Sequence, residues 1–112
     1  MTSANFEKAL VALSNRKFFK NISISRGIER EALRSSLNGV ISKTVHPKSL
    51  GSALTNPFIT TDFAEALIEM VTPTFDTVEG LHSFLENLDF FVKENLNDEI
   101  LWNASMPCEL GD

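Results

Sequence analysis

An α+β fold built on an antiparallel sheet is what this sequence predicts. Apolar residues recur at helical spacing near its start and again over residues 76–97. Between these runs lies a segment of alternating apolar and polar side chains. That segment leads into Leu37-Asn38-Gly39-Val40, where Asn-Gly is the strongest short signal for a two-residue hairpin turn, and a hairpin pairs its strands antiparallel.

Residues 3–13 place Phe6, Ala9, Leu10 and Leu13 on one helical stripe, with Thr2 or Ser3 as cap. Residues 15–20 are basic and break the pattern. Residues 21–33 read as a strand, with Ile22, Ile24 and Ile28 in alternation, and residues 40–43 as the strand returning from the turn. His46-Pro47 opens a loop in which Gly51 and Pro57 oppose long regular structure.

Residues 62–73 support two readings. Asp62 with Glu65 makes a capping-box pattern, and the composition of residues 64–70 favours helix. The stretch from Leu67 to Thr72, however, is short, stops at Pro73 and carries β-branched residues at its end. Local physics alone leans to helix. Residues 76–97 are the plainest helix: Asp76 with Glu79 as a capping box, Val78, Leu81, Leu85, Leu88 and Val92 as the stripe, Phe84 and Phe91 widening it, and Lys93 in the last turns. A short strand is expected over residues 100–105.

With 112 residues and 43 % apolar content the chain is of one-domain size, and it lacks any apolar run long enough to span a membrane. A net charge of −5 without a Lys/Arg cluster argues against nucleic acid as a partner. One cysteine, Cys108, permits no internal disulfide and fits a reducing compartment. Residues 1–20 contain no secretory-signal pattern, so a cytoplasmic location with no membrane association is expected. Residues 102–108 read as ordered structure with only four residues after them. The expectation is therefore a truncated domain, the amino-terminal piece of something longer.

The chemistry lies in the acids. On a strand, Glu29 and Glu31 leave the same face, with Cα atoms roughly 6.5 Å apart. Two carboxylates so placed repel, and burial raises the cost, so they either face water or hold a cation. The other polar residues have plainer roles. Glu65 reads as a structural or capping acid, Arg26 and Arg30 as ion-pair partners, His82 as an exposed helix residue and His46 as a loop residue. Cys108 has no His or acid motif beside it to make it a nucleophile.

Four stretches in consistent spacing carry a resemblance: Arg26-Gly27-Ile28-Glu29-Arg30-Glu31; His46-Pro47 through Leu50-Gly51-Ser52-Ala53-Leu54-Thr55; Ile59-Thr60-Thr61-Asp62-Phe63-Ala64-Glu65-Ala66-Leu67; and Ser105-Met106-Pro107-Cys108. In them the chain resembles the amino-terminal part of bacterial glutamate–cysteine ligase of the proteobacterial type, whose chain is several times longer. The resemblance implies part of a single catalytic domain with a glutamine-synthetase-like fold, an antiparallel sheet lining a funnel with helices on one side. It makes the segment ending Leu67-Ile68-Glu69-Met70-Val71 a strand, overruling the local lean to helix over residues 64–72. It also implies ATP-dependent joining of glutamate to cysteine, the first committed step towards glutathione, with Mg²⁺ or Mn²⁺ held by Glu29, Glu31, Asp62 and Glu69. Phe63 would lie near the cysteine pocket. The fragment alone is expected to be inactive. The competing reading is a free-standing acidic α/β module that binds a protein partner and does no chemistry, its four acids merely solvated.

Overall fold

Strand β1, Glu29–Ser36, is the spine of the computed structural model, which describes residues 2–15 and 19–112. Helix α1 (Ser3–Ser14) precedes it; a 3₁₀ turn (Lys48–Leu50), β2 (Ile59–Thr61), β3 (Leu67–Val71), α2 (Val78–Glu94) and β4 (Glu99–Trp102) follow. The four strands form one sheet in the order β2-β3-β1-β4, every neighbouring pair antiparallel. The expected α+β class with an antiparallel sheet is what the chain adopts.

Alternation along the strands gives the sheet two unlike faces. Ala32, Ile68, Met70, Ile59 and Leu101 lie on one side, where Leu50, Val92, Leu96 and the partly buried Leu88 close over them. Ile68 and Met70 are fully buried, each contributing about 1.5–3 kcal/mol through the apolar surface it removes from water. Helix α2 thus covers one face, as expected. Its stripe is narrower than the spacing suggests: Leu81 and Val92 are buried, but Val78 and Phe91 stay exposed. Phe84 stacks edge-on against Phe58, ring centroids 5.3 Å apart, and tilted against Phe75 at 5.7 Å. Helix α1 forms where the spacing places it but buries no residue, so Phe6, Leu10 and Leu13 remain in solvent.

Several boundaries differ from expectation for physical reasons. Strand β1 starts at Glu29 rather than Asn21: among the described residues Arg26 alone is bridged upstream, to Phe75, so the alternation of Ile22 and Ile24 meets no described strand that would make it a ladder. The turn at Asn38-Gly39 forms, with Gly39 at φ +81° and its N–H bonded to Ser36 O at 3.0 Å. The returning strand shrinks to isolated bridges, Ser35 to Ile41 and Val40 to Glu109, on the edge of β1 that β3 takes from Leu33 backwards and where the Arg34 N–H already bonds Ala66 O; β4 holds the opposite edge. Residues 64–72 are strand in their second half, and the Asp62–Glu65 pattern caps nothing helical. Helix α2 is capped by Thr77, whose Oγ1 accepts the Gly80 N–H at 3.2 Å, so the cap is one residue later than Asp76. The strand expected over residues 100–105 spans Glu99–Trp102. Of the basic connector expected at residues 15–20, residues 16–18 lie outside the described part.

Candidate active site

The sheet face opposite α2 carries the acids. Glu29 and Glu31 leave β1 on that face because Ala32, one position on, points into the core. In the β1–β3 register Glu31 is the direct partner of Glu69, and Glu29 lies across from Val71. Directly opposed Cβ atoms in such a pair stand about 4.5–5.5 Å apart. Thr60 of β2 is in turn opposite Glu69, and Asp62 follows two residues later, immediately after β2 ends. Three strands therefore bring Glu29, Glu31, Glu69 and Asp62 to one region.

Electrostatics report the same proximity. Glu69 holds its proton more tightly than an ordinary glutamate, first because of burial, then because the charges of Glu29, Asp62 and Glu31 act on it. Among the described residues, none of these four carboxylates makes a side-chain hydrogen bond or ion pair, although the chain has arginines at positions 26, 30 and 34. Their donor set of hard, unpartnered oxygens suits a divalent cation such as Mg²⁺. The arrangement is a wall rather than a cage: among the described residues, no three His, Cys, Asp or Glu side chains form a ready-made metal cluster. A cavity of about 310 Å³ opens beside Glu31, lined by Leu33, Leu67, Trp102, Ser105, Met106 and Pro107. Trp102 fixes its rim by donating Nε1–H to Met106 O at 2.7 Å.

The remaining polar residues fall elsewhere. Phe63 is 85 % exposed in the turn after β2. Arg30 pairs with Asp89 of α2 and donates to Asn103 Oδ1 at 2.6 Å, on the helix side of the sheet. Among the described residues Arg26 makes no ion pair of the expected kind; its Nη1 donates to the carbonyl of Asp76 at 2.8 Å. Glu65 is a structural acid, its Oε1 accepting the His46 N–H at 2.6 Å. His82 is exposed beside Glu86 on α2. His46 sits in its loop with its basicity reduced by burial and by the Arg34 charge. Cys108 is buried and free.

Sequence reasoning missed Arg34. Its side chain is fully buried on the helix side of β1 and makes an ion pair with Glu99 of β4 at 2.7 Å. Burial pushes the Glu99 carboxyl upward, but hydrogen bonds from Ser42, Arg34 and Thr44, with the Arg34 charge, outweigh it and hold it below the usual carboxylate range. The signal was available: in the period of β1, position 34 shares a face with Ala32.

The family model for glutamate-cysteine ligase matches residues 8–112 of this chain. A glutamate–cysteine ligase from Alcanivorax borkumensis is 49 % identical over 88 residues, covering 79 % of this chain and 17 % of the relative. Another from Sodalis glossinidius is 52 % identical over 85 residues, covering 76 % and 16 %. Among solved structures, a Francisella tularensis glutamate–cysteine ligase in complex with AMP superposes with a TM-score of 0.75 at 41 % identity, covering 78 % of this chain and 18 % of that one. A bifunctional glutathione synthetase from Pasteurella multocida gives a TM-score of 0.75 at 34 % identity, covering 79 % and 12 %. The chain thus spans about a sixth of the length of the curated relatives it matches. On sequence and on fold alike, the chain belongs to the glutamate–cysteine ligase family.

Proposed function

We propose that residues 1–112 are the amino-terminal part of a single glutamate–cysteine ligase catalytic domain and supply the acidic wall of its active site. The reaction is the ATP-dependent joining of the glutamate γ-carboxylate to the cysteine amine, the first step of glutathione biosynthesis. The carboxylate oxygen attacks the γ-phosphorus of ATP, the bond to the β-phosphate oxygen breaks and ADP leaves. The amine then attacks the acyl carbon of the resulting acyl phosphate, loses a proton and displaces phosphate. Family membership supports this reading, and the direct pairing of Glu31 with Glu69 carries the site assignment.

The reactants of the first step are all anionic, which is why a wall of unpaired carboxylates makes sense only with cations between the two. Glu29, Glu31, Asp62 and Glu69 would hold Mg²⁺ or Mn²⁺, which would supply positive charge against the anionic reactants. The chain's own contribution is placement. Strand backbones fix the acids so that little order is lost on binding, and a cation would relieve the repulsion that raises the Glu69 pKa. Phe63, exposed beside Asp62, is available to border the cysteine site. A cytoplasmic location is part of the same proposal; among the described residues no helix is long and apolar enough to cross a membrane. The sheet has edges at β2 and β4, where further strands can pair, so ligase turnover by these 112 residues alone is not expected.

Replacing Glu29, Glu31, Asp62 or Glu69 by its amide in a full-length chain should raise the Mg²⁺ concentration needed for half-maximal activity while the fold persists. Amide variants that keep wild-type Mg²⁺ dependence would overturn the assignment and favour the non-catalytic acidic module.

A further inference from the structure

We infer that Arg34 is a positioning residue for the acidic wall, clamping the turn that delivers Asp62, Phe63 and Glu69 to β1. The inference rests on the ligase reading above and adds a residue on the opposite side of the sheet from the acids.

The β1–β3 ladder ends at the pair Leu33 and Leu67. Beyond it, residues 62–66 turn back to β2, and this turn is where Asp62 and Phe63 stand. Arg34 grips two successive carbonyls of that turn. Its backbone N–H donates to Ala66 O at 2.7 Å, and its Nη2 donates to Glu65 O at 3.1 Å. The same Nη2 donates to Thr44 O at 2.8 Å, tying the turn to the loop after the hairpin. Nη1 reaches Thr44 Oγ1 at 2.7 Å, Ser42 Oγ at 3.2 Å and Glu99 Oε2 at 2.7 Å, which adds β4 to the knot. Thr44 Oγ1 donates in turn to Glu99 Oε1 at 2.9 Å.

A fully buried guanidinium is tolerated only where its charge is answered, and here the Glu99 carboxylate, two carbonyls and two hydroxyls answer its Nη1 and Nη2 groups, while its Nε has no partner among the described residues. The planar fork spans these acceptors at fixed angles. Lysine keeps the charge but carries three donors on a single nitrogen, too few and too compact to serve the five acceptors that Nη1 and Nη2 reach, Glu99 and the Glu65 carbonyl included. Losing the fork therefore frees one end of the turn while the counter-charge to Glu99 remains. Asp62 and Glu69 lie on either side of that turn, so their spacing from Glu29 and Glu31 loosens, and cation affinity falls before the chemistry does.

The test is Arg34→Lys in a full-length ligase chain bearing these residues, with Mg²⁺ titrated at saturating substrates. The expected result is about a tenfold rise in the half-saturating Mg²⁺ concentration with kcat at saturating Mg²⁺ close to wild type. Thr44→Val removes a donor to Glu99 but leaves the Glu65 carbonyl in reach of Arg34. It should lower thermal stability and leave Mg²⁺ dependence unchanged. An equal Mg²⁺ shift in Thr44→Val, or none in Arg34→Lys while Glu69→Gln shifts it, overturns the positioning role and leaves the ligase reading standing. No shift in Glu69→Gln sinks the ligand assignment and this inference with it. Should Arg34→Lys not fold, wild-type amide exchange decides: protection of the Leu67 N–H, bonded to Ala64 O at 2.9 Å, must match that of Met70 within about tenfold, and loop-like exchange there overturns the clamp.

Discussion

Glu31 and Glu69 face each other as direct cross-strand partners on adjacent antiparallel strands, with Glu29 two residues along the same face. Like charges so opposed weaken a sheet. The stability of the pairing comes from its other side, where Ala32, Ile68 and Met70 are buried. The acids are carried by a fold that is held together behind them.

Removing one of those charges should stabilise the 112-residue chain. Glu69 has a raised pKa, so the folded chain binds its proton more tightly than the unfolded chain does. The linked stability is fully present below the ordinary glutamate value of about 4.3 and is lost as pH rises through the raised folded value. Glu69→Gln is therefore expected to raise the melting temperature at neutral pH, with the gain shrinking on acidification. Thermal melts of both proteins across the acid range check this.

Divalent cations should do the same by mass action. If the wall binds Mg²⁺ in the folded chain only, tenfold excess over Kd adds about 1.4 kcal/mol. The shift should vanish in the Glu31→Gln, Glu69→Gln double variant. Melting curves with and without MgCl₂ at constant ionic strength read it out.

The Arg34–Glu99 pair predicts the opposite pH behaviour. Glu99 is held below the usual carboxylate range, so its contribution is present above the ordinary glutamate pKa and lost as pH falls through the depressed folded value. Glu99→Ala strands a buried guanidinium and should cost about 3–5 kcal/mol in urea unfolding at neutral pH, with a shallower acid limb than wild type.

At the start of α2, Thr77→Ala should cost about 1 kcal/mol because the Gly80 N–H loses its acceptor. Asp76→Asn, one residue earlier, should be nearly silent in the same denaturant titration, since it is the Asp76 carbonyl, not its side chain, that accepts from Arg26.

Much of this was legible in the residues. The 3,4 spacing of Leu81, Leu88 and Val92 placed α2, and Asn38-Gly39 placed the turn, because both signals act within a few residues of themselves. The start of β1 was not, since whether Ile22 and Ile24 form a ladder depends on a neighbour that only tertiary structure supplies. For the same reason residues 67–71 looked helical in isolation: pairing with β1 on one side and β2 on the other overrode propensity. The acid face followed from the two-residue period once β1 was a strand. Arg34 escaped because a charged side chain is seldom fully buried, and its partners, Thr44, Glu65 and Glu99, are scattered along the sequence.

The two-faced pleat of β1 also makes its length intolerant of change. Inserting or deleting a single residue between Glu31 and Arg34 would put both on one face, either turning the guanidinium outward or driving the carboxylates into the oily side. Variation in chain length should therefore collect in stretches such as Asn97-Asp98, between α2 and β4, where the backbone already bends through a left-handed residue and a turn can absorb an added residue without changing the facing of β4.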